Sequence, residues 1–133
     1  MNNYSLALVA VAVLLPSTSN AKGLVPTMER DFEFCQDRPA QPDWIETLPV
    51  REAYKGLVIQ TIYRAQSVER VVTAGECSCD TRFPAWDGAV QHFNDRYLSG
   101  DRNELREANT TYLERFNELR TAARTICEQE GHW

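Results

Sequence analysis

Gly75-Glu76-Cys77-Ser78-Cys79-Asp80-Thr81-Arg82-Phe83-Pro84-Ala85-Trp86 places two cysteines one residue apart, between two segments with helical apolar spacing. The other two cysteines, Cys35 and Cys127, lie far away on either side. A Cys-X-Cys ring is too short to close without distorting the bridge. Each loop cysteine is therefore expected to reach outward, one to Cys35 and one to Cys127. Both outward pairings remain open, and Cys35–Cys77 with Cys79–Cys127 is preferred. Either way each bridge closes a long loop, which the chain-entropy model puts at roughly 3–4 kcal/mol.

Upstream of the loop, Val50, Tyr54, Leu57, Ile62, Ala65, Val68 and Val72 recur mostly in steps of three and four, with Ala53, Val58 and Thr61 beside them. That spacing marks one face of a helix. Pro49 suits its first turn and Gly75 its stop, so a helix is predicted over 49–74. Gly56 inside it costs about 1 kcal/mol relative to alanine and suggests a close approach by another segment. Downstream, a second helix is predicted to start near Pro84, with Trp86, Val90, Phe93 and Tyr97 facing inward, and to end at Gly100. Asp101-Arg102-Asn103-Glu104 is a capping box. It opens a third helix over 102 to about 128, striped by Leu105, Ala108, Tyr112, Phe116, Leu119, Ala123 and Ile126.

Three helices on short links give an all-α fold, a small three-helix up-down-up bundle in which the first and third helices point the same way. Cys77, Cys79 and Cys127 then fall at one end. Residues 22–42 carry Pro26, Pro39 and Pro42 and lack a period, which reads as an arm. Asp43-Trp44-Ile45-Glu46 within the approach to Pro49 fits a short capped turn. Fourteen extended residues reach about 46 Å, enough for Cys35 to return along the first helix to the loop. The fold expected is thus a bundle over 49–133 with an N-terminal arm over 22–48, clipped by two disulfides into a single domain.

Ahead of the arm, Leu6 to Leu15 is an unbroken apolar run followed by Pro16, Ser17, Thr18 and then Ser19-Asn20-Ala21. This is the pattern of an export signal over 1–21, cleaved after Ala21. The run is about half of the roughly 20 residues that span a bilayer, so the mature chain is expected to have no membrane span. An exported chain with four cysteines favours disulfides in the periplasm or outside the cell. The net charge of −5 and pI near 5.0 argue against nucleic-acid binding. Twelve of the 14 basic residues are arginine.

No sequence signature of catalysis accompanies this layout. His92 lacks a nearby nucleophile, with the cysteines committed to bridges, and reads as a boundary histidine. The usual phosphate-loop, calcium-loop and zinc-protease spacings do not occur, and a Cys₄ zinc site would need a Cys-X₂-Cys knuckle rather than Cys-X-Cys. A redox role for the Cys-X-Cys pair would leave Cys35 and Cys127 unexplained. No cofactor or metal is expected. Asn109-Thr110-Thr111 matches a glycosylation sequon. Phe83, Trp86 and the last residue, Trp133, are the candidates for a protein contact, because tryptophan, tyrosine and arginine dominate binding hot spots.

The Cys77-Ser78-Cys79…Phe83-Pro84-Ala85-Trp86 segment, with the export signal and the small helical body, resembles small periplasmic accessory proteins encoded with bacterial conjugative (type IV secretion) systems. The resemblance implies a non-enzymatic partner of another envelope or secretion-system protein. An inhibitor or immunity protein of the periplasm, and a secreted helical carrier of a small ligand, are the alternatives that the composition allows.

Overall fold

The computed structural model describes residues 35–133. The expected export signal and the arm before Cys35 lie outside the described residues. Those described fold into helices without strands: α1 (Asp43–Glu46), α2 (Ala53–Ala74), α3 (Cys79–Arg82), α4 (Asp87–Tyr97) and α5 (Arg102–Gln129). Helices α2, α4 and α5 are the three of the expected bundle. None of the described helices is long and apolar enough to cross a membrane.

Helix α5 begins where its capping box requires. The Asp101 carboxylate accepts the Asn103 and Glu104 N–H groups at 2.7 and 3.0 Å, and Glu104 accepts the Asp101 N–H at 2.8 Å. Helix α2 ends at Gly75, whose φ of +68° reverses the chain while its N–H closes on Val71 O at 2.9 Å. Its start differs from the expectation. Pro49 opens a separate turn, with Glu52 N–H bonded to Pro49 O at 2.7 Å. The helix follows at Ala53, and Val50 is left 94% exposed. The buried face of α2 is also rotated and wider than the predicted stripe. Leu57 is 44% exposed, whereas Ile59, Tyr63 and Val71 are buried. The cause is that α2 is the central element, flanked by α5, α4 and the arm, so no single stripe describes it. Helix α4 starts at Asp87, because Phe83 to Trp86 form the connection from α3.

The direction of the helices follows from side-chain pairs. Thr61 Oγ1 bonds Asn109 Oδ1 at 2.8 Å, Glu69 pairs with Arg115 at 2.8 Å, and Cys77 is bridged to Cys127. Rising together along both chains, these pairs make α2 and α5 parallel. Helix α4 starts at the level of Tyr63 and Gln66, where Trp86 and Gly88 lie, and delivers the chain back to the start of α5. The result is up-down-up.

The core has two parts. Ile45, Val58, Ile59, Ile62, Ala89, Phe93, Leu105 and Ala108 fill the end where α5 begins. Val68, Val71, Ala123 and the Cys77–Cys127 bridge fill the other, with Phe116, Leu119 and Trp133 packed on them. The described arm runs against α2 in the opposite direction. Cys35 sits at the loop, Pro39 O accepts Trp86 Nε1–H at 3.3 Å, and Gln41 Oε1 accepts from Gln60 at 2.9 Å. Helix α1 then lies over Gly56, with Pro42 rather than Asp43 in the cap position. A Cβ at position 56 would stand 3.2 Å from Ile45 Cγ2, Ile45 O and Leu48 Cδ1. Glycine gives up helix propensity there so that Ile45 can be buried, a gain of about 1.5–3 kcal/mol for the isoleucine alone.

The disulfides are Cys35–Cys79 and Cys77–Cys127, with Cα atoms 5.6 and 5.0 Å apart. This corrects the preferred pairing, Cys35–Cys77 with Cys79–Cys127, in favour of the other outward arrangement. The reason is α3. Ser78 is extended and caps a helical turn starting at Cys79. Cys77 therefore stays in the core beneath the last turn of α5, while Cys79 is carried out toward the arm.

Candidate functional site: a disulfide hub with an aromatic–arginine face

The loop after α2 is fixed by its own polar groups. The Glu76 carboxylate accepts from Ser78 N–H at 2.8 Å, from Ser78 Oγ at 3.2 Å and from the Thr81 hydroxyl. These bonds, the Thr81 hydroxyl foremost, hold its pKa below the usual carboxylate range. Ser78 Oγ in turn accepts Thr81 N–H at 3.3 Å as the N-cap of α3. Cys77 is clamped from the C-terminal side as well: its N–H donates to Glu130 at 2.8 Å, and its carbonyl accepts from His132 Nδ1 at 2.8 Å. Arg70 of α2 adds a bond from Nε to Thr81 O at 3.3 Å. Two bridges and this set of bonds converge on one short loop.

On the hub, rings and guanidinium groups alternate. Arg82 lies 4.9 Å from the Phe83 ring centre and 4.6 Å from that of Trp133, and also donates to His132 O. Arg38 of the arm covers Phe83 at 5.4 Å, and Arg124 of α5 covers Trp133 at 5.8 Å. Such stacking contributes about 0.5–1 kcal/mol per pair at exposed sites. Between Phe83, Trp133 and α2 opens a crevice of about 250 Å³. Phe83, from the loop after α3, and Trp133, from beyond the end of α5, are thus brought together, both half-buried. Trp86 is not part of this pair. Its ring stacks flat on Tyr63, centroids 3.8 Å apart and planes within 5°, and its indole N–H is taken by Pro39. It pins the arm and α4 to α2. The Tyr63 hydroxyl donates to Pro84 O at 3.0 Å, and burial pushes its pKa up.

His92 lies away from this face, in an aromatic nest. It hydrogen-bonds the Tyr112 hydroxyl, with Tyr97 adjoining both rings. Burial, then Arg96, lowers its pKa, and Asp95 opposes them. Burial, with the Tyr97 hydrogen bond next, pushes Tyr112 up to about 12. Both shifts favour the neutral form of each group. All four cysteines are bridged, and no group of metal-ligating side chains occurs among the described residues. Asn109 of the sequon faces α2, its amide oxygen bonded to Thr61, rather than standing free on the surface.

The arginines are what sequence reasoning missed. Arg38, Arg82 and Arg124 come from three distant segments, and only the arginine-rich composition hinted at them. No protein-family model, curated protein or solved structure matches the chain.

Proposed function

We propose that this is a non-enzymatic interaction protein of the bacterial periplasm, an accessory subunit of a conjugative (type IV secretion) apparatus, which docks an envelope partner through the Phe83–Trp133 face. The observation that carries the reading is the Arg82 guanidinium set between Phe83 and Trp133 on a loop held by both disulfides. Arginine and tryptophan are the residues richest in binding energy at interfaces. A surface ordered before binding loses less entropy when it docks. Two disulfides suit an oxidising compartment, the export pattern over 1–21 supports passage into it, and the Cys77-Ser78-Cys79…Trp86 resemblance supports the secretion setting.

The test is co-purification from envelope extracts of the producing bacterium, with native protein set against a Phe83→Ala/Trp133→Ala variant. A defined secretion-system component should be retained by the first and lost by the second, with both disulfides intact in each. Equal retention by both would remove this face from the account. A secreted hydrolase or toxin as the captured protein would replace the accessory role with that of an inhibitor.

A further inference from the structure

We propose that the crevice beside Arg82 is an anchor pocket for one aromatic side chain of an acidic segment in the partner protein, and that Arg64 takes the neighbouring carboxylate. The inference rests on the docking reading above and names the chemistry of what docks.

Volume decides the size of the occupant. At about 250 Å³ the crevice exceeds the roughly 150 Å³ apolar cavity that holds benzene. It falls below the roughly 300–1,000 Å³ typical of small-molecule sites. One ring-bearing side chain fits, whereas a lipid-sized ligand does not. The lining is matched to a ring. Val71 and Ala123 are buried in the floor, and Phe116 and Trp133 stand as aromatic walls.

Charge decides what lies beside the ring. Arg64 borders the same crevice, is exposed, and sits 4.6 Å over the Phe116 ring. Stacking holds the guanidinium plane against the ring and leaves its N–H edges for a carboxylate. Two arginines of the adjoining α5 are already paired, Arg115 with Glu69 and Glu118 and Arg124 with Glu128. Arg64 has no carboxylate partner among the described residues. On a chain of net charge −5, a cation at the mouth of an apolar crevice, with no carboxylate partner among the described residues, selects for an acidic neighbour to the ring.

The experiment is a ¹H–¹⁵N NMR titration of the disulfide-intact protein with blocked tetrapeptides. One carries phenylalanine flanked by glutamates, one phenylalanine flanked by glutamines, one alanine flanked by glutamates; free phenylpropionate is the small-acid probe. The acidic phenylalanine peptide should bind best and shift the Trp133 indole N–H. Arg64→Gln, a change at an exposed side chain, should weaken that peptide by roughly two- to fivefold, as expected for an exposed ion pair, and leave the glutamine peptide unchanged. Equal binding of the alanine and phenylalanine peptides would overturn the pocket, and insensitivity to Arg64→Gln would overturn the charge. Phenylpropionate binding as tightly as the best peptide would make this a small-acid site instead. Failure of every peptide, with partner capture still lost in Phe83→Ala/Trp133→Ala, would refute the anchor while leaving the docking face standing. Failure of both would remove the two together.

Discussion

Replacing Cys77 and Cys127 together by alanine cuts the bridge between the ends of the two long parallel helices. The closed loop spans 50 residues, for which the chain-entropy relation gives about 4 kcal/mol. Both cysteines are buried in the core, and the helices stay aligned by Thr61–Asn109 and Glu69–Arg115. The native state therefore recovers little freedom, and the full loss should appear. The Cys35–Cys79 bridge closes a similar loop, 44 residues, so entropy of the unfolded chain alone predicts the same cost when it is cut. The native consequences differ. The described arm is otherwise tied by the Trp86–Pro39 and Gln60–Gln41 bonds and by Arg38 stacked on Phe83. It loosens when cut, and each freed residue regains about 1–2 kcal/mol of backbone entropy. The net cost should fall to about 2 kcal/mol or less. Urea denaturation followed by far-ultraviolet circular dichroism measures both. A loss of about 4 kcal/mol is a large share of a typical 5–15 kcal/mol and corresponds to a melting shift of about 15–30 °C. A Cys35/Cys79 variant at least as unstable as the Cys77/Cys127 variant would refute the reasoning, because it would make the arm rather than the helix pair the cooperative unit.

Three further perturbations probe the fold. Gly56→Val drives methyl groups into Ile45 and Leu48 and should cost about 1–3 kcal/mol. Gly88→Ala, whose nearest contact would be Gln66 Oε1 at 3.9 Å, should gain up to about 1 kcal/mol; the two melting temperatures should move in opposite directions. Asp101→Ala removes one half of the α5 capping box and should cost about 1 kcal/mol, read as a lower urea midpoint with unchanged slope. His92 titrates below its ordinary 6.5 in the folded state, so the unfolded chain binds the proton first. Its contribution is fully present above pH 6.5 and is lost as pH falls through the folded-state value. Urea midpoints should drop between pH 7.5 and 5 in the native protein and drop less in His92→Gln.

Much of the scaffold was legible because its signals are local and redundant. Helix α5 has a capping box and an apolar stripe that agree with each other, and α2 has a glycine stop. The start of α2 was misplaced because Pro49-Val50 imitates a first helical turn, yet nothing covers Val50. Helix α3 was invisible, since four residues are too few to show a period, and the disulfide pairing depends on that turn. The face itself was half legible. Phe83 and Trp133 stood out as aromatic residues, but their juxtaposition and the arginines between them arise from long-range closure by the bridges and the C-terminal clamp on Cys77. Trp86 carried the same sequence signal and became a structural pin, because Tyr63 lies one stacking distance below it.

Docking at the Phe83–Trp133 face is tested most directly by photo-crosslinking in the producing cell. A benzophenone amino acid is placed at Phe83, at Trp133, or at exposed Thr110 on α5. The account predicts one covalent adduct, the same partner, at positions 83 and 133 and none at 110. Adducts of equal yield at all three positions, or at 110 alone, would contradict it.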